Sequence, residues 1–264
     1  MPTEPEYIRL EDELPALIWR GAGKGARPAI ISLHGLGGHK EDIGLDTIER
    51  VTSCGITLVT VDAYLHGEHV PPTQKAPESY TVTTLLAALG HTVKDLPALV
   101  AHLRRDEAIV GELIGLRGGS MGGYIALSAV AQDLPVSAVL SICGAADYPN
   151  TFGSQVRGEN QALSSIEAAQ VRESWEELLS LDPLLHAAQF RSRPVLMIHG
   201  ARDSWVPMAG HRALFDALVP QYSERPEDCL FITHAGDHAT PLSLERFGWD
   251  WLIGQLLSVK EERS

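Results

Sequence analysis

Short apolar runs recur along this chain, and each leads into a longer stretch of helical period, an alternation that few architectures can satisfy. The runs are 29–33 (AIISL), 56–61 (ITLVTV), 113–116 (LIGL), 136–142 (VSAVLSI), 194–199 (PVLMIH) and 229–233 (CLFIT). Their lengths and β-branched content suit buried strands. Helical patterns lie between and after them, at 41–53, 80–105, 121–131, 208–218 and 242–257. Gly90 and Pro97 are expected to kink or divide the second of these. Strands alternating with helices predict the α/β class, with a mostly parallel central sheet flanked by helices. Sites in such sheets lie at the carboxyl ends of the strands.

Residues 150–189 break the alternation. They open with polar, Gly-containing sequence and continue in helix-like stretches such as SSIEAAQVRESWEELL. The segment is too short to hold a core of its own and reads as a small helical cap or lid inserted into the domain. The 264 residues, 1–264, are then one domain, large enough to need neither disulfide nor metal to hold it together.

A formal net charge of −13 excludes a nucleic-acid partner and disfavours an anionic membrane surface. No apolar run reaches the length of a membrane span. The start, MPTEPEYIRLEDELP, is acidic and broken by proline, unlike a secretory leader. Cys54, Cys143 and Cys229 form no CxxC pair and indicate free thiols in a reducing compartment. A cytoplasmic protein is expected.

Gly118-Gly119-Ser120-Met121-Gly122 matches G-x-S-x-G between a predicted strand and a predicted helix. A serine on that sharp turn is lifted above the sheet, and the glycines remove side chains that would collide there. The same pentapeptide could arise by chance in a chain with 24 glycines, but the strand before it and the helix after it argue otherwise. A serine hydroxyl needs an adjacent base, and the base needs an orienting acid. For a serine on such an elbow the chain order is Ser, then Asp or Glu, then His. Asp203, in HGARDSWVP after the run 194–199, is the candidate acid. It could instead cap the next helix, but Pro207 places that cap nearer Val206. His238, in AGDHA after the run 229–233, is the candidate base. His234 is its nearest rival but falls at the strand end, and the adjacent Asp237 reads as solvated or turn-forming. The Gly-rich loop HGLGG after residues 29–33 lacks the spacing of a phosphate loop. It suits oxyanion stabilisation, with the backbone N–H groups of Leu36 and Met121 as donors. No metal or organic cofactor is required by this chemistry.

HGLGG, GGSMG, HGARDSWVP and AGDHAT, in this order, resemble the α/β-hydrolase superfamily. The pattern D-x-x-x-H-G at 62–67 and the stretch DPLLHAAQFRSRPVLMIHGARDSWVP are similar to small bacterial carboxylesterases near the prolyl oligopeptidase and dienelactone hydrolase groups. The resemblance runs from about residue 29 to about residue 257. It implies the α/β-hydrolase fold and a Ser120–Asp203–His238 triad with Leu36 and Met121 as oxyanion donors. It also implies that Asp62 and His66 brace the loops around the site, and that Asp182 orders the chain entering the next strand. Dienelactone hydrolases carry a cysteine nucleophile and haloalkane dehalogenases an aspartate, where this chain has Ser120. Without the extra domain of prolyl oligopeptidases, peptide hydrolysis is not expected. A small, short-chain acyl ester is the expected substrate. Thioesterase, amidase or acyltransferase chemistry with the same triad stays open, as does a non-catalytic binding module. Tyr148, Phe152, Trp175 and Trp205 are candidate pocket walls, each equally explicable as ordinary packing.

Overall fold

The computed structural model of the chain describes residues 4–10, 14–77, 79–153 and 175–262. Among the described residues there are eight strands: β1 Glu6–Leu10, β2 Leu14–Trp19, β3 Arg27–Leu33, β4 Thr57–Val61, β5 Ile109–Gly119, β6 Ala138–Ile142, β7 Val195–Gly200 and β8 Cys229–His234. The long helices are α1 Leu45–Ser53, α2 Val82–Arg105, α3 Met121–Ala131, α4 Ala209–Leu218 and α5 Leu242–Glu262. The strands form one sheet in the order β1-β2-β4-β3-β5-β6-β7-β8. Pairing is parallel from β4 to β8, and antiparallel where β2 joins β1 and β4. This is the α/β-hydrolase fold, with helices packed on both faces.

Alternation along the inner strands divides the core between the two faces. Ile31, Leu33, Val59, Val61, Val139, Val195 and Met197 pack on one side with α2, α3 and α4. Ile30, Leu58, Leu140, Leu196 and Ile198 pack on the other with α1 and α5. Successive strand residues point to opposite faces, so near-continuous apolar runs are what a sheet covered on both sides demands. The chain leaves β3 towards β4 and returns to β5 on the other side of β3. That reversal opens a crevice above the carboxyl ends of β3 and β5, where ligands of such sheets bind.

Three elements differ from the sequence reading. The hairpin β1–β2 was not expected, because its acidic, proline-containing start hides the strand pattern. Its hydrogen-bonding partner is β4, far along the chain, and Pro15 is tolerated near the start of β2. β5 runs eleven residues rather than four: Ile109 already pairs with Arg27 ahead of an irregularity in the register, and pairing with β3 and β6 carries the strand on through Arg117. α2 is one helix through both Gly90 and Pro97. Leu86, Leu89, Val93, Leu96, Val100 and Leu103 fall at three- and four-residue spacing and are all buried, so packing on the sheet outweighs the local cost of proline. A capping box at Thr81 and Thr84 starts it. Residues 154–174 of the expected cap lie outside the described residues.

Candidate active site

Ser120 sits between β5 and α3 with φ 52° and ψ −119°, a left-handed conformation that a residue with a side chain rarely adopts. Its N–H donates to Ile142 O at 2.7 Å, and its carbonyl accepts from Gly123 N at 2.8 Å, which hold the turn. A Cβ on Gly118 would lie 1.9 Å from Gly122 O, and one on Gly122 would lie 2.3 Å from Leu33 O. Only glycine fits at either place, because β5, α3 and the end of β3 meet there backbone to backbone.

The loops after β7 and β8 bring two more groups to this turn. His238 Nε2 lies 2.9 Å from Ser120 Oγ, and His238 Nδ1 lies 2.7 Å from Asp203 Oδ2. The carboxylate can only accept, so the imidazole proton belongs on Nδ1 and Nε2 is left bare towards the hydroxyl. Asp203 Oδ1 accepts from the backbone N–H groups of Trp205 at 2.9 Å and Val206 at 2.8 Å. Burial would raise the Asp203 carboxyl, but the Val206 amide, His238 and the Trp205 amide together hold it below its ordinary value. Asp203 does not cap α4, which begins at Ala209. His234 turns into its own loop, where Nδ1 accepts from Gly236 N at 3.1 Å, and the exposed Asp237 accepts from Ala239 N at 3.1 Å.

Behind Asp203 runs a buried chain that the sequence reading missed. His199 Nε2 lies 2.9 Å from Val206 O and 3.3 Å from Asp203 Oδ2. His199 Nδ1 meets His211 Nδ1 at 2.8 Å, and His211 Nε2 meets Ser141 Oγ at 3.0 Å. Nε2 of His199 faces only acceptors, so it carries the proton; Nδ1 then accepts from His211, and Ser141 donates to His211 Nε2. Burial pushes both imidazoles below the ordinary histidine value, and His211 well below it. Both are neutral at pH 7, as this single direction of donation requires. The signal available in the sequence was weak, since His199 is visible in HGARD but nothing local links it to His211.

The loop after β3 lies against the serine. His34 Nε2 accepts from Ala63 N at 3.0 Å, and its Nδ1–H donates to Gly35 O at 2.7 Å. The buried Asp62 carboxylate accepts from Lys40 N at 2.7 Å, Lys40 Nζ at 2.9 Å and Glu68 N at 2.9 Å. It therefore ties the loops after β3 and β4 together. His66 stacks on Tyr80 at 4.6 Å between ring centroids. Leu36 and Met121 both face the space above Ser120.

That space is a cavity of about 690 Å³. Tyr80, Leu85, Tyr124, Phe152 and Trp205 form much of its wall. Trp205 is 78% exposed and stacks on His238, with centroids 5.7 Å apart and planes 17° from parallel. Phe152 and Trp205, two of the residues expected as pocket walls, line this cavity. Tyr148 and Trp175 do not. Tyr148 is wholly buried, with its hydroxyl 2.5 Å from Ser128 Oγ, and Trp175 packs against the core. Tyr80, Leu85 and Tyr124 were missed because they lie on elements that only the fold brings to the serine. Asp182 accepts from Leu184 N at 3.0 Å on the segment that leads to β7, and also from Asp147 N at 2.9 Å and Tyr148 N at 2.8 Å, so it ties that segment to the loop after β6.

Cys143, Asp203 and His238 place ligand atoms within 4.8 Å of one another, the one such cluster among the described residues. Asp203 and His238 engage each other, and burial raises the Cys143 thiol, which keeps it protonated. The donor set belongs to the serine site rather than to a metal centre.

Fold and site together define a hydrolase of the α/β-hydrolase superfamily. Within it the chain belongs to the prolyl oligopeptidase family, whose sequence profile matches residues 83–241. YitV of Bacillus subtilis (strain 168), which carries an esterase name, is 29% identical over 226 residues, 82% of this chain and 84% of that protein. TT1662 from Thermus thermophilus superposes with a TM-score of 0.73 at 22% identity, covering 97% of this chain and 99% of that one. An acetyl xylan esterase from Paenibacillus sp. R4 superposes with a TM-score of 0.72 at 16% identity, covering 94% and 82%. No helix among the described residues is long and apolar enough to cross a membrane.

Proposed function

We propose that the protein is a serine carboxylesterase acting on small, short-chain acyl esters. The observation that carries this is the line from Asp203 Oδ2 through His238 to Ser120 Oγ, with contacts of 2.7 and 2.9 Å, at the floor of a largely apolar cavity. In this reading His238 Nε2 takes the Ser120 proton as Oγ attacks the ester carbonyl. Asp203 holds the imidazole in the Nδ1–H tautomer and stabilises the imidazolium that forms. The N–H groups of Leu36 and Met121 receive the developing oxyanion, the second at the start of α3 where the helix dipole favours negative charge. The alcohol leaves with the proton from His238. Water, deprotonated by the same nitrogen, then releases the acid from Ser120 and restores the hydroxyl.

A cavity of about 690 Å³ suits a small molecule. The esterase name carried by YitV favours an ester over a thioester or amide. We read residues 1–264 as one domain with 150–189 as a cap over the site, and the protein as cytoplasmic, in keeping with its free cysteines.

The test is hydrolysis of p-nitrophenyl esters across acyl lengths. Ser120→Ala and His238→Ala are expected to lower kcat by about ten-thousand-fold or more, and Asp203→Asn by about a thousand-fold or more. A folded parent that turns over no ester, and whose Ser120 resists a fluorophosphonate, would instead be a binding module.

A further inference from the structure

A second cavity, of about 400 Å³, opens on the other side of Ser120 and His238, and shares Gly35 and Leu36 with the first. Its wall includes Arg117. Gly115, Arg117 and Gly119 alternate along the face of β5 that meets α5: a Cβ on Gly115 would lie 3.1 Å from Leu252, and the Arg117 guanidinium lies 5.4 Å from the Trp249 ring centroid. Both terminal nitrogens of Arg117 come within 3.4 Å of where a side chain on Gly119 would begin. The cation is thus held between Trp249 and the backbone that leads into Ser120.

Arg117 Nε is inaccessible to solvent and has no hydrogen-bond partner among the described residues. None of the ion pairs formed by the described residues, drawn at 4.0 Å or less, includes Arg117. Burial lowers its pKa and the more distant Glu245 works against that, but an arginine so placed remains charged. Arg117 as a whole is half-buried in the cavity wall, and a guanidinium that is partly desolvated in this way is ordinarily paired, because leaving its charge isolated is costly. A cation left without an ion-pair partner among the described residues, in a cavity it shares with the candidate nucleophile, is a place for an anion brought by the substrate.

We propose that Arg117 binds a carboxylate on the substrate. The preferred esters are then monoanionic, apolar on one side of the scissile carbonyl and ending in a carboxylate on the other. This rests on the Ser120 reading above, since the two cavities meet at that hydroxyl and an ester carbonyl has two substituents to place. A planar carboxylate matches the guanidinium fork. Asp42 and Glu245 stand on the same wall. Asp42 is engaged by His39, with contacts of 2.9 Å to its amide and 3.2 Å to its ring, and Glu245 lies in the first turn of α5. Their two negative charges oppose a phosphate dianion far more than a single carboxylate, which selects the class of anion.

Two matched pairs test this on the wild-type enzyme: monomethyl succinate against methyl valerate, with the charge on the acyl side, and para-acetoxybenzoate against its methyl ester, with the charge on the leaving side. In one of the pairs the anionic ester is expected to have the higher kcat/KM, by about tenfold or more. Arg117→Met should lower that anionic-to-neutral ratio by about 10- to 100-fold, and Arg117→Lys should recover part of it. Calorimetry of the monoanion glutaramate on the wild-type protein reads the site without turnover and without relying on a variant that folds. Binding in the millimolar range or tighter is expected, with neutral glutaramide not bound. Esters turned over with no anionic preference in either pair, together with no glutaramate binding, would overturn the Arg117 proposal and leave the esterase reading standing. Glutaramate binding with no ester turned over would do the reverse.

Discussion

His199 and His211 touch no space open to a substrate, yet they support the carboxylate on which the candidate base depends. Their protons are ordered in one direction, from Ser141 through His211 to His199 and on to the Val206 carbonyl and Asp203. His199→Phe removes the N–H near Asp203 Oδ2. The carboxylate becomes more basic, so the acidic limb of the kcat/KM profile should move to higher pH, with kcat down about tenfold and KM little changed. His199→Gln, which restores an N–H at that reach, should return the limb towards its original position. A pH profile identical in the parent and the Phe variant would remove His199 from this role. Gly118 makes the complementary point through backbone alone. Gly118→Ala sets a methyl 1.9 Å from Gly122 O, and denaturant unfolding should show a loss of about 3 kcal/mol or more. These constraints differ in legibility. The glycines announce themselves in G-x-S-x-G, whereas His199 and His211 are two of eleven histidines with no local mark of their contact.

Elements were readable where their own period was clear. α3 spans the residues the pattern predicts, and every one of its side chains is buried, as a helix of small and apolar residues beneath an active-site turn requires. α2 shows the limit of local reasoning. Pro97 removes one N–H from the ladder but lies on the exposed side of the helix, and the buried stripe continues past it. Pro97→Ala should therefore stabilise the protein, by about 2 kcal/mol, after the greater freedom it gives the unfolded chain is allowed for. Thermal or denaturant unfolding checks this, and a destabilised variant would mean that the site depends on a bend there. The β1–β2 hairpin was illegible for the opposite reason. Its partner strand, β4, lies some forty residues downstream, and nothing in its own composition reports that pairing.

At the scale of the molecule, buried neutral histidines couple stability to pH. His66, His199 and His211 are wholly buried, and burial places each below its ordinary value of 6.5. His34, also in the loop beside the serine, is pushed down to about 4. Below pH 6.5 the unfolded chain binds protons that the folded chain refuses, so stability falls as the pH drops through this window and is regained above it. Each such histidine contributes a slope of about 1.4 kcal/mol per pH unit until its folded-state value is reached. Asp203, held below its ordinary value of 3.8, adds stability that is lost only at still lower pH. Unfolding measured between pH 7 and pH 5 should show the decline, and His211→Phe should make it shallower by about one proton. A stability that is flat across that range would contradict the neutral, ordered histidine chain.

Periodicity, chain order and turn chemistry are local, short-range properties, and they determined the α/β class, most of the inner strands, the elbow at Ser120 and the loops carrying Asp203 and His238. Those loops could be named because each directly follows an apolar strand. Tertiary structure decided what depends on the sheet order. It set the length of β5 and the hairpin at the edge, brought Tyr80, Leu85 and Tyr124 to the cavity and withdrew Tyr148 and Trp175 from it. It also joined His199 to His211 and left Arg117 without an ion-pair partner among the described residues, in a cavity it shares with Ser120. Distances between segments a hundred residues apart are set by strand pairing and close packing, which no window of neighbouring residues encodes.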